Sequence, residues 1–118
     1  MGERQYGVEA IFAGDPVRFA LRPDQASVES LEAAIGSPFA AFTRFRDGVW
    51  TISDIRMVLG HAFPDAVLMQ GLTRVATVDA AIVARPAATY APLAIKILEA
   101  FLFGLAADQA RFVEGPAL

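Results

Sequence analysis

The chain contains no cysteine, one histidine and one tryptophan. Without thiols, disulfides, thiolate catalysis and sulfur-ligated metals are all excluded, and a reducing compartment suits the chain. Charge is also scarce, at 19 % of residues, and the balance of −3 runs against the clustered positive charge on which phosphate binding rests. Long apolar runs are missing too. The start, MGERQYGVEA, has no apolar signal core, and the run over 93–107 carries Lys96 and Glu99. That run is shorter than the ~20 residues a bilayer-spanning helix needs. These absences predict a soluble intracellular protein with no membrane segment. Repeats, low-complexity tracts and linkers are absent as well, so residues 1–118 read as a single domain.

Apolar residues make up 55 % of the chain, far too many for disorder and more than one small core readily absorbs. The excess points to self-association. It is most concentrated from Pro92 to Ala107, where Lys96 and Glu99 are the only charges. A surface helix usually has an apolar stripe of roughly 100° and a polar remainder, so one that is apolar nearly all round is either central to a core or awaits a partner. On its helical wheel Phe103 shares the narrow polar strip with Lys96 and Glu99. That makes Phe103, with Phe101 and Leu105 beside it, the candidate partner-binding group, and Trp50 an outlying member.

Residues 6–22 alternate in period two around Gly14-Asp15, which predicts a β-hairpin. With a two-residue loop there, Phe12 faces Val17, Ala10 faces Phe19 and Val8 faces Leu21, which puts all six apolar side chains on one face. Helices are expected over about 24–107. Asp24 or Ser27 caps the first, which carries Val28, Leu31 and Ile35 and stops at Gly36. Ser37-Pro38 starts the second, with Phe39, Phe42 and Phe45, and Ser53 caps a third with Ile55, Leu59 and Ala62. Helical spacing continues from Asp65 to Ala84 with a weak point at Gly71, and Pro92 opens the last helix. The tail over 108–118 is expected to fray. The fold class is α+β: an N-terminal hairpin followed by a bundle of four to five helices.

Catalytic signatures are thin. His61 with Asp54 and Asp65 gives a nominal metal spacing, but Pro64 interrupts the shared helical face. No Gly-x-Ser-x-Gly elbow and no glycine-rich phosphate loop is present, so neither a nucleophile nor a cofactor is indicated. Carboxylates are scattered singly, and Glu29/Glu32 read as a solvated helix face. Arg44, Arg46 and Arg56 flank the Trp50 link and offer a third-rank DNA-binding reading that the long, aromatic turn weakens.

Four segments in order, FALRP, SLEAAIG, DGVWTISDIRMVL and RPAATYAPLAIKILEAFLFG, carry a family resemblance. Over roughly residues 7 to 104 the chain resembles the gene transfer agent gp10-like family of phage tail proteins, which is related to phage tail assembly chaperones. It departs from the family pattern at HAFPDAVLMQGLTRVAT, where a glycine-rich connection is expected. The resemblance implies a non-enzymatic assembly role in a bacterial cytoplasm or in the virion. The implied partners are the tape measure protein, which such chaperones keep soluble, and the tail tube protein. It equally admits a structural tail subunit, although a ring-forming subunit needs a larger sheet than two strands supply.

Overall fold

The computed structural model describes residues 3–64 and 74–114, without the side chains of 74–77. Strands β1 (Val8–Phe12) and β2 (Asp15–Phe19) come first. Helices α1 (Gln25–Ile35), α2 (Pro38–Arg46), α3 (Ile52–Ala62), α4 (Arg74–Val83) and α5 (Ala91–Phe103) follow, and a short strand β3 (Arg111–Val113) comes last. The architecture is the expected α+β arrangement, with one strand more than the sequence pattern reveals. The helical spacing read from Asp65 appears as α4 from Arg74; its earlier part, with the weak point at Gly71, lies outside the described residues.

The hairpin turns at Ala13-Gly14 rather than Gly14-Asp15. Both residues have positive φ, 53° and 84°, as a type I′ turn requires. Val8 therefore pairs with Phe19 and Ala10 with Val17, two residues away from the register drawn from the sequence. A slip of two preserves the faces, so Val8, Ala10, Phe12, Val17, Phe19 and Leu21 are all buried. On the solvent face Glu9 lies opposite Arg18, and their side chains form an ion pair at 2.9 Å.

The sheet order is β2-β1-β3, which leaves β2 on an outer edge. In a two-residue hairpin the closing pair, Phe12 and Asp15, is hydrogen-bonded, so Pro16 and Arg18 present their backbone outward. Pro16 has no N–H to offer there. One step further, the Ala20 N–H donates to the Ala62 carbonyl at 3.0 Å. The edge that the hairpin pattern leaves open is therefore largely closed to another strand.

Caps set the helices. Asp24 accepts from the Ser27 N–H, and Ser37 from the Ala40 N–H with Pro38 at the first helical position. The third helix is capped by Thr51, not Ser53: Thr51 and Asp54 exchange hydrogen bonds as a capping box. The last helix stops at Phe103 because Gly104, at φ 79°, turns the chain back and donates its N–H to the Ala100 carbonyl. Of the two readings of that apolar helix, the core is realised along most of its length: Leu93, Ala94, Ile97, Leu98 and Ala100 are buried. Beneath the sheet Phe12, Phe19 and Phe63 meet edge to face, with centroids 5.2–5.9 Å apart, and Tyr90 packs on Phe12 at 5.1 Å.

Residues beyond Ala107, expected to fray, are tied in at least as far as Glu114. Strand β3 runs parallel to β1, with Ala10 opposite Phe112, and Lys96 donates to the Gln109 and Arg111 carbonyls. The Glu114 side chain, 4 % exposed, then closes the structure. Its carboxylate accepts from the Ala13 and Gly14 N–H groups at 2.8 and 2.7 Å and from the Tyr90 hydroxyl, and it pairs with Arg85 at 3.1 Å. The hairpin turn, the approach to α5 and the C-terminal strand thus share one anion. Burial raises its pKa, yet the Tyr90 hydroxyl, the two turn amides and the Arg85 charge outweigh that effect and hold it below the ordinary carboxylate value. Tyr90 is driven well above the usual phenol range, first by burial and then by its hydrogen bond to Glu114 and that residue's charge.

Candidate functional site

Helix α2 packs along α5, and at their shared end three aromatic rings gather. Phe103 meets Phe42 at 5.9 Å and Phe39 at 6.2 Å, both edge to face, and Phe39 and Phe42 lie 6.5 Å apart. Phe42 is buried at the base, whereas Phe39 and Phe103 remain 57 % and 49 % exposed. Two guanidinium groups adjoin the rings. Arg46, one turn after Phe42, lies 5.5 Å from that ring's centroid. Arg4 donates to the Gly104 carbonyl at 3.2 Å, immediately after Phe103. Arg4 and the exposed Tyr6 pack so closely on Gly104 that a Cβ there would meet them at 2.9 and 3.1 Å.

The other residues singled out in the sequence do not join this patch. Leu105 is buried, and its backbone bridges to Gln5. Phe101 is half-buried against the core. Trp50 lies parallel to Phe45, at 15° and 6.5 Å, and is also half-buried. Phe39, the most exposed of the three rings, stands with Phe42 and Phe45 in the phenylalanine series of the second helix. At 3.6 residues per turn a spacing of three drifts by about 60° per step, so the three rings fan over about 120° of the helix, with Phe42 and Phe45 facing the core and Phe39 at the outer side.

The chemically suggestive residues are engaged within the fold. His61 Nδ1 donates to the Met57 carbonyl at 2.8 Å, and Nε2 lies within hydrogen-bond distance of the Ser30 hydroxyl at 3.2 Å. This serine–histidine pair borders a cleft of about 390 Å³ lined by Leu21, Ser27, Leu31 and Met57 among others. Ser30 stands mid-helix, where the neighbouring backbone amides are spent on helical hydrogen bonds. Asp54 serves the capping box and pairs with Arg44 at 3.4 Å, while Asp65 lies outside the described residues. Arg56 pairs with Asp79 at 2.7 Å. Arg44, Arg46 and Arg56 are thus each turned to a different partner. Among the described residues no helix is long and apolar enough to cross a membrane.

Comparison with known proteins gives one family. A family model described as "Phage tail tube protein, GTA-gp10" matches residues 6–104, a span from the start of the hairpin to the glycine that ends α5. No curated protein and no solved structure matches the chain.

Proposed function

This chain belongs to the GTA-gp10 family of phage tail proteins, and from that premise we propose that it is a non-enzymatic tail assembly chaperone. It binds the tape measure protein, shields that protein's apolar helices until the tube forms around them, and hands them on to the tail tube protein. The observation that carries this reading is the half-exposed pair Phe39 and Phe103, held against each other on a body whose remaining large aromatics are mostly withdrawn. Aromatic side chains left open and preorganised in this way are characteristic of recognition surfaces. Self-association, suggested by the apolar excess, belongs to the same proposal.

The second reading, a structural subunit associated with the tube, is favoured by the family's own description. A wall built through strand pairing calls for free edges, and here Pro16 and the Ala20–Ala62 hydrogen bond occupy much of the β2 edge. Co-expression with the tape measure protein of the same tail gene cluster, followed by light scattering, tests the proposal. A soluble complex of fixed stoichiometry, with the tape measure protein insoluble alone, is expected. Polymerisation of the chain by itself, together with its presence in finished particles, transfers the assignment to the structural subunit.

A further inference from the structure

We infer that the Phe39/Phe42/Phe103 patch, flanked by Arg4 and Arg46, docks an amphipathic helix of another protein whose apolar face is bordered by acidic residues. The inference rests on the chaperone reading and supplies the chemistry of the segment recognised. Its first basis is the contrast among the arginines. Arg18, Arg44, Arg56 and Arg85 each pair with a carboxylate. Arg4 and Arg46, the two beside the aromatic rings, have no carboxylate partner among the described residues, as is also true of Arg111 on β3. Arg46 lies against the Phe42 ring and Arg4 is held by the Gly104 carbonyl, so both are positioned before any ligand arrives.

Charge also decides between occupants. A two-fold interface between copies of this chain would set patch against patch and bring like arginines together, a juxtaposition that disfavours self-docking. An incoming helix with Glu or Asp beside its apolar stripe matches both elements, carboxylates to the guanidinium forks and aliphatic side chains to the rings. Helical ligands suit the location as well. The patch is built on α2 and α5, and its rings offer shape rather than backbone hydrogen bonds.

The test uses the full chain and two synthetic helical peptides with the same leucine face, one flanked by glutamates and one by lysines. Binding is read by calorimetry or fluorescence anisotropy. The glutamate peptide is expected to bind, and the lysine peptide to bind at least about tenfold more weakly. Phe39→Ser and Phe103→Ser each lower affinity for the glutamate peptide roughly tenfold, in the range of interface hot spots. Arg4→Glu with Arg46→Glu reverses the preference between peptides. Circular dichroism confirms that each variant keeps its helices, and Phe103→Leu supplies a milder probe if the serine variant unfolds. Equal binding of both peptides, binding of neither, or affinity unchanged in the phenylalanine variants overturns the inference. So does a wild-type dimer that dissociates in Phe103→Ser, because the occupant is then a second copy. A parallel pull-down with the tape measure protein separates the two levels. If wild type binds that protein and the patch variants bind it equally well, the chaperone reading stands and the docking inference falls. If wild type binds the glutamate peptide but not the tape measure protein, the reverse holds.

Discussion

Replacing Glu114 with Gln should destabilise this protein more than almost any other single change outside its apolar core. The carboxylate receives two turn amides, a buried tyrosine hydroxyl and an arginine. A hydrogen bond to a charged group contributes about 1.5–3 kcal/mol net. Ala13 and Gly14 are exposed and regain water, so their share is small; Tyr90 and Arg85 are largely shut away and cannot. Gln keeps one acceptor oxygen but turns an amide group toward donors, which puts the loss at about 3 kcal/mol. At roughly 4 °C per kcal/mol for a chain of this size, Tm falls by about 12 °C near neutral pH. The sign of the pH dependence follows from the depressed carboxyl pKa. Its stabilisation is complete above the unfolded value of about 4.3 and is lost as pH falls through the folded one. Thermal melts of both proteins from about pH 7 to pH 2 should therefore show a constant gap that narrows below about pH 4. Coincident melts at neutral pH, or a gap undiminished in acid, would refute the assignment of Glu114 as an ionised tie.

Ala13→Asn relieves a non-glycine residue at φ 53° while keeping its N–H for Glu114, and should raise stability by about 0.5–1 kcal/mol in urea titrations. Gly104→Ala should cost about 1–2 kcal/mol, since φ is 79° and the new Cβ meets Arg4 at 2.9 Å; the same melts read it. Phe19→Ala empties the ring cluster with Phe12 and Phe63 and should cost about 3–5 kcal/mol by chemical denaturation. Tyr90 carries a raised pKa, so its stabilisation is full below about 10 and declines as pH rises beyond it; Tyr90→Phe should flatten that alkaline loss in wild-type melts.

Much of this architecture is legible in the sequence because its determinants are local. Asp24, Ser37-Pro38 and Gly36 mark helix ends through side chains and φ preferences that act over a few residues. The hairpin face is legible for the same reason, since alternation alone separates Phe12 and Phe19 from Ile11 and Arg18. The register is not, because the choice between Ala13-Gly14 and Gly14-Asp15 depends on an alanine accepting positive φ, and Glu114 reinforces that choice from about a hundred residues away. Strand β3 escapes notice on similar grounds: three residues carry no period, and their hold comes from β1, Lys96 and Glu114. At the candidate site, Phe103 is visible because it interrupts a polar strip. Phe39 is hidden in a run of phenylalanines whose facing directions only the packing of α2 on α5 decides.

The parallel pairing of β1 with β3 has a consequence during synthesis. On the ribosome, β1 is made about a hundred residues before its partner, an interval of roughly 5–20 s at typical elongation rates. Throughout that time the nascent hairpin has one edge largely closed by Pro16 and the other with no strand beside it. The finished molecule conceals this vulnerability; the emerging one does not. Aggregation should therefore track how quickly the last stretch of chain is delivered, and a ribosome stalled before residue 111 would display β1 to every neighbouring chain.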